Sequence, residues 1–235
     1  IFLKKISISL KNEISKKEWL SKSYGWKIKY PIVDKKYFKE KKYVNPYVFI
    51  DTLSKKLSSK ETIIADDGGH LTWTLQAFKI KLGQNLFSAF GNSPMGYSLP
   101  ASIGASIAKK NSRVICIDGD GSIQINLQEL HTVDKLRLPI KIFVLNNNGY
   151  GIIKQFQDLY LDGRFEASGK GVSNPDFEKI SKAFNINYNI IKNHRQLNKL
   201  DKIIKSNKKG FLNGQRIFSL IMLANSFKNL KLNIN

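Results

Sequence analysis

The sequence predicts an α/β protein: a parallel sheet of about six strands with helices on both faces. Three observations carry that prediction. Short β-branched, apolar runs alternate with stretches of helical periodicity. The runs are apolar throughout rather than every second residue, as expected of strands covered on both sides. Most of them close on a cluster of Gly, Asp, Asn or Ser, the residues that turn a chain at a sheet edge.

In chain order, residues 1–44 carry apolar positions among many lysines, with Trp19 and Trp26 in a stretch able to form a helix. Asn45-Pro46 supplies a cap and a first-turn proline, and Tyr47, Ile50, Leu53 and Leu57 follow at helical spacing. Thr62 to Ala65 reads as a strand ending at Asp66-Asp67-Gly68-Gly69, and His70 to Phe78 as the helix after it. Leu86 to Ala89 is the second strand. Gly91 to Gly96 is a loop before a helix of small residues, Leu99 to Ala108, suited to close packing on a sheet. Arg113 to Asp118 is a buried strand closing on Gly119-Asp120-Gly121-Ser122, and Gln124 to Leu136 has helical periodicity. Ile140 to Leu145 is another buried strand, followed by Asn146-Asn147-Asn148-Gly149. Gly163 to Ser173 reads as a mobile loop, Asn174-Pro175 as a helix cap, and Ile186 to Ile191 as a further strand.

Composition excludes several functions. The formal net charge is +21, but residues 46–191, which hold the strand-end loops, carry 16 basic residues against 13 acidic ones. The excess sits in the two ends, and only 5 of the 39 basic residues are Arg. That distribution argues against a nucleic-acid partner. No apolar stretch approaches the ~18 residues of a membrane span. A single Cys116 inside an apolar run excludes a disulfide within the chain. A cytoplasmic, reducing location is expected.

In an open parallel sheet, ligands bind beyond the carboxyl ends of the strands. Asp120 and Asn147 lie 27 residues apart, each just past a strand, with one helix between them. That is the length of one strand–helix–strand crossover, which sets the two side chains beside each other. A carboxylate, an amide oxygen and the carbonyl of a Gly-containing turn form part of an octahedral oxygen shell, which a diphosphate can complete around Mg²⁺. Gly-Asp-Gly or an Asn run alone is a common turn; the pair at this spacing after two buried strands is far rarer.

Gly119-Asp120-Gly121-Ser122 followed by Asn146-Asn147 resembles the thiamin-diphosphate signature. The surrounding order is similar to the carboxyl-terminal domain of acetolactate synthase large subunits: Asp67-Gly68-Gly69-His70 with Trp73 and Gln76, Met95-Gly96-Tyr97-Ser98-Leu99-Pro100, Gln128-Glu129-Leu130, and Gly151-Ile152-Ile153-Lys154-Gln155-Phe156-Gln157. The resemblance implies the thiamin-diphosphate-binding fold over 45–210, the end of a preceding central domain and a linker in 1–44, and an atypical tail in 211–235. It implies Mg²⁺ held by Asp120, Asn147 and the Gly149 carbonyl. It places Gly68, Gly69, His70, Gly119, Gly121, Ser122, Gly151 and Ile152 along the diphosphate. It puts Met95 beneath the bent cofactor and Ser93 beside the aminopyrimidine. Outside these positions, Trp73 reads as a core residue and His131 and His194 as surface residues.

The implied activity is that of a carboligase of branched-chain amino-acid biosynthesis, which decarboxylates a 2-keto acid such as pyruvate and condenses it with a second. A 2-keto-acid decarboxylase and a non-catalytic remnant are the alternatives. Family members take an activating glutamate from a pyrimidine-binding domain, normally amino-terminal. Its absence here implies a piece of a longer, homo-oligomeric enzyme that is inactive alone. Any FAD belongs to the full-length enzyme and not to this domain. Ile152 and Phe156 stand where the family usually carries Met and Trp, which alters the substrate side. Past Lys209-Gly210 the family pattern is lost, as a frameshift near residue 210 would produce.

Overall fold

The structure, a computed structural model, describes residues 17–169, 171–206 and, by backbone alone, 217–222. The chain divides into two compact units, 1–34 and 35–235. In the first, helix α1 (Lys17–Lys29) sets Trp19 edge-on to Trp26, with ring centres 5.6 Å apart. Residues 35–44, grouped by sequence with the preceding segment, lie in the second unit, where Tyr37 stacks on Tyr47 at 5.6 Å.

The second unit holds a fully parallel, six-stranded sheet. Its strands are β1 (Thr62–Ala65), β2 (Asn85–Phe87), β3 (Val114–Gly119), β4 (Ile140–Asn146), β5 (Asn187–Ile191) and β6 (Ile217–Met222), in the spatial order β2-β1-β3-β4-β6-β5. The chain leaves β1 for one edge and then crosses back to place β3 on the other side. The order therefore reverses between β1 and β3, and a crevice opens beyond their carboxyl ends. β6 falls in the segment expected as an atypical tail, yet it fills the place between β4 and β5. The rest of that tail lies outside the described residues.

Every residue of β1, β3 and β4 is buried, which is why these strands read as predominantly apolar runs, with Lys141 the exception inside β4. On one face Ile64, Cys116 and Ile142 pack with Leu99 and Ile103 of helix α4 (Ser98–Ala108) and Leu130 and Val133 of α5 (Glu129–Lys135). On the other, Phe49 of α2 (Pro46–Lys56) meets Phe143 of β4 at 5.7 Å. Burying each such side chain stabilises by about 1.5–3 kcal/mol. Asn45 caps α2 as expected: its Oδ1 accepts from Tyr47 N at 3.0 Å and Val48 N at 3.4 Å.

Several local expectations fail for identifiable reasons. The helix expected from Gln124 to Leu136 is a 3₁₀ turn, Ser122–Asn126, followed by α5, because the Asn126 amide reaches out to donate to the Gly96 carbonyl at 2.7 Å. Asp176, not Asn174, caps α7 (Phe177–Ala183), accepting from Glu178 N at 3.0 Å and Lys179 N at 3.1 Å. In the loop expected to be mobile, Ser168 is buried and its carbonyl accepts from Tyr150 N at 3.0 Å. His194, expected at the surface, is half-buried and accepts from Asn45 N at 2.9 Å. Lys141 sits fully buried inside β4, donating to Ser206 Oγ at 2.8 Å. Burial, reinforced by the Arg113 charge, pushes its amine down to about 7. Among the described residues no helix is long and apolar enough to cross a membrane.

Candidate functional site

Strand register brings the loops after β1, β3 and β4 to one edge of the sheet. Ala65 pairs with Ile117, and Gly119 with Leu145, so Asp66, Asp120 and Asn147 each follow directly where the pairing stops. Asp66 then ties the neighbouring loop down. Its carboxylate accepts from Gly96 N at 2.8 Å and Ser98 N at 2.7 Å, fixing the entry to α4. Asp118, one strand over, accepts from Ser98 Oγ at 2.6 Å, from Gly119 N at 2.8 Å and from the Ser122 hydroxyl. Burial raises the affinity of both carboxylates for a proton, and for Asp118 the Asp66 charge raises it further.

A cavity of about 240 Å³ opens above these anchors. One wall comes from Gly68, Gly69 and His70 at the start of helix α3 (Gly69–Ala77), with Ser93 and Met95 from the glycine-bearing loop. Its floor is Gly119, Asp120, Gly121 and Ser122. The remaining wall is Asn147 and Gly149, with Gly151 and Ile152 opening helix α6 (Gly151–Tyr160). Every residue tied by sequence to the cofactor or the metal therefore borders one space. Phe156 does not: it lies a turn further along α6, 56% exposed, with its ring 4.7 Å from Tyr160. Trp73, which reads as a core residue, also lines the cavity and is only half-buried.

His70 is buried, and its Nε2 faces no hydrogen-bond partner. Burial drives the imidazole down to about 3, against an opposing interaction with the Asp66 backbone, so the ring is neutral. It fits because Gly68 and Gly119 lack side chains. A Cβ at either would lie 2.7 or 2.9 Å from the ring, and Gly68 also holds a φ of 139°.

Three polar groups meet at the cavity floor: the Asp120 carboxylate, the Asn147 side-chain amide and the Gly149 carbonyl. The Asn147 amide satisfies its surroundings with its NH₂ turned toward them, donating to the Gly149 carbonyl at 2.6 Å and to Asp120 Oδ1 at 3.1 Å. Asn148, at a φ of 58°, bends the chain so that the Gly149 carbonyl turns back toward Asn147. The amide NH₂ thus fills the place between two oxygens that a cation would take, and a carboxylate, a carbonyl and an amide able to turn its oxygen inward are the donors that a hard divalent cation selects. The donor set therefore fits Mg²⁺. A second buried group, Asp66, His70 and Asp118, brings one ligand atom from each within 4.8 Å. It fits less well, because its carboxylates already accept from Gly96, Ser98, Gly119 and Ser122 and its third member offers nitrogen.

Asp67, Leu145, Tyr150 and Ile153 complete the lining without having been singled out by sequence. The glycine turns around them carried the only available signal, since their side-chain directions depend on the turn geometry. Burial raises the Asp67 carboxyl, against a hydrogen bond from the Gly68 backbone.

Comparison with known proteins agrees with this geometry. Residues 66–213 match the model of the thiamine pyrophosphate enzyme family described as the C-terminal TPP binding domain. The acetolactate synthase large subunit of Cyanidium caldarium is 36% identical over 192 residues, 79% of this chain and 32% of that protein. The corresponding subunit of Pyropia yezoensis is 35% identical over 179 residues, 76% of this chain and 30% of that protein. The isozyme 2 large subunit of Escherichia coli (strain K12) is 36% identical over 143 residues, 59% of this chain and 26% of that protein. The chain thus spans about a third or less of the length of these relatives. With the cavity at the switch point of its parallel sheet, the chain belongs to the thiamine pyrophosphate enzymes as a C-terminal TPP binding domain like that of acetolactate synthase large subunits.

Proposed function

We propose that the cavity holds thiamin diphosphate through Mg²⁺, and that the chain serves as the cofactor domain of an acetolactate-synthase-like carboligase acting on 2-keto acids such as pyruvate. The observation that carries the metal assignment is the convergence of Asp120 Oδ1, the Asn147 amide and the Gly149 carbonyl on one point of the cavity floor. Asp120 supplies the charge, and the two neutral oxygens complete this chain's share of the shell. Helices α3 and α6 begin at the cavity, and their first-turn N–H groups suit an anion. His70, held neutral, offers Nε2 to the diphosphate or to the substrate. Met95 and Ile152, both partly exposed, form an apolar rim against the organic part of the cofactor.

When bound, the cofactor would supply a ring carbon that is nucleophilic toward a keto group once its proton is removed, and a ring able to take up the electron pair left by decarboxylation. This chain's part is to bind, orient and keep water from that group. The activating glutamate and the rest of the substrate pocket are expected on another part of a homo-oligomeric enzyme, consistent with the chain's share of its relatives' length. Incubation with pyruvate, thiamin diphosphate and Mg²⁺ tests this division of labour. Retention of the cofactor without formation of acetolactate is expected; turnover by the chain alone would contradict it.

A further inference from the structure

We propose that Asn174, locked by Gln124, is a positioning residue that decides which oxygen of Asp120 faces the cation; the inference rests on the reading of Asp120 as a ligand. Asn174 Nδ2 donates to Asp120 Oδ2 at 2.5 Å and to Asn146 Oδ1 at 3.2 Å. Its own Oδ1 accepts from Gln124 Nε2 at 3.1 Å, and the same Gln124 nitrogen donates to the Asp120 carbonyl at 2.8 Å. Gly149 N adds a second hydrogen bond to Asp120 Oδ2 at 3.1 Å.

The two oxygens of Asp120 therefore have different employment. Oδ2 accepts from the Asn174 amide and the Gly149 N–H, and Oδ1 faces the cavity side, where the Asn147 amide joins it to the Gly149 carbonyl and where a cation would sit. The orientation of Asn174 is itself determined. Turned over, its oxygen would face the oxygens of Asp120 and Asn146 while its NH₂ faced the Gln124 NH₂, so only one orientation satisfies both ends. Two amides from different parts of the chain thus grip Asp120 by its side chain and its backbone. The carboxylate rotation that a ligand would otherwise lose on binding is already frozen. The side chain is available for this because Asp176 performs the capping that the Asn-Pro sequence suggests for Asn174.

Mn²⁺ titration in the presence of thiamin diphosphate, read by the EPR signal of the bound ion, tests the assignment without any turnover. Asn174→Ala should weaken Mn²⁺ binding about 10-fold or more. Gln124→Ala, which leaves the Asp120 contact but unlocks Asn174, should weaken it by roughly threefold, and it carries the test should Asn174→Ala fail to fold. The double variant should bind less weakly than the product of the two single losses, because Gln124 acts in part through Asn174 and in part through its own hold on the Asp120 carbonyl. Asp176→Ala, which loosens α7 alone, should bind Mn²⁺ as the parent does. Parent-like binding by Asn174→Ala and Gln124→Ala, with binding lost in Asp120→Ala, would overturn the positioning role and leave the metal reading standing. An equal loss in Asp176→Ala would also overturn it, as a general effect of loosening the segment. Parent-like binding by Asp120→Ala would overturn the metal reading and this inference together.

Discussion

Gly149→Ala tests how tightly the turn that carries the third oxygen is built. A Cβ at position 149 would lie 2.6 Å from the Ser168 carbonyl oxygen, a backbone atom. To reach ordinary contact at about 3.5 Å, that oxygen must retreat by about 0.9 Å. It is also the acceptor for Tyr150 N at 3.0 Å, so the retreat breaks the bond that joins the two segments. Loss of the hydrogen bond costs about 1 kcal/mol and the overpacking about 1–3 kcal/mol, giving a loss of about 2–4 kcal/mol. For a chain of this size that lowers Tm by roughly 5–15 °C. Gly104→Ala is the internal control: it lies inside α4 with nothing within 4 Å, and it should stabilise by about 0.5–1 kcal/mol. Urea unfolding followed by circular dichroism measures both. A Gly149→Ala variant within about 0.5 kcal/mol of the parent, the range of neutral surface changes, would refute the claim that Ser168 holds this turn.

Two further outcomes concern the opposite end of the sheet. The Lys141 amine has a folded value of about 7, well below the ordinary lysine value of 10.5, so the unfolded chain binds more protons across that interval and stability should rise as pH increases from about 7 to 10.5. Lys141→Met should flatten this slope in pH-dependent unfolding measurements, whereas an unchanged slope would show that other groups produce it. Glu61 is buried and paired with Arg113 through two hydrogen bonds, one of 3.0 Å to Nε, while Arg113 Nη1 donates to the Ile204 carbonyl at 2.7 Å. Glu61→Ala should cost about 3–5 kcal/mol in urea unfolding by leaving the guanidinium without its counter-ion; a cost below about 1 kcal/mol would mean that water replaces the carboxylate.

The parts of the site that sequence discloses are those encoded by chain geometry. Buried parallel strands are apolar along most of their length, so β1, β3 and β4 announce themselves, and the polar, glycine-rich turns after them mark the sheet edge where a ligand must sit. Asn45 is legible for a similar reason, because a cap contacts only the next few residues. What escapes is set by contacts between distant segments. Asn174 reads as a local cap because Asn-Pro is a cap signal, while its partners lie at Asp120 and Gln124. Trp73 reads as core, though the phase of a helix only 9 residues long turns it to the cavity. Lys141 is hidden in an apolar run whose burial nothing nearby contradicts, and the 3₁₀ turn before α5 follows from an Asn126–Gly96 contact that periodicity cannot register.

Calorimetric titration of thiamin diphosphate, with and without Mg²⁺, into the chain and into Asp120→Ala bears most directly on the oxygen cluster. Binding that depends on Mg²⁺ in the parent and loses that dependence in Asp120→Ala is the expected result, since only Asp120 brings charge to the cluster. Equal binding with and without Mg²⁺ in the parent, or an Asp120→Ala variant that binds as the parent does, would contradict the assignment of these three oxygens to a cation.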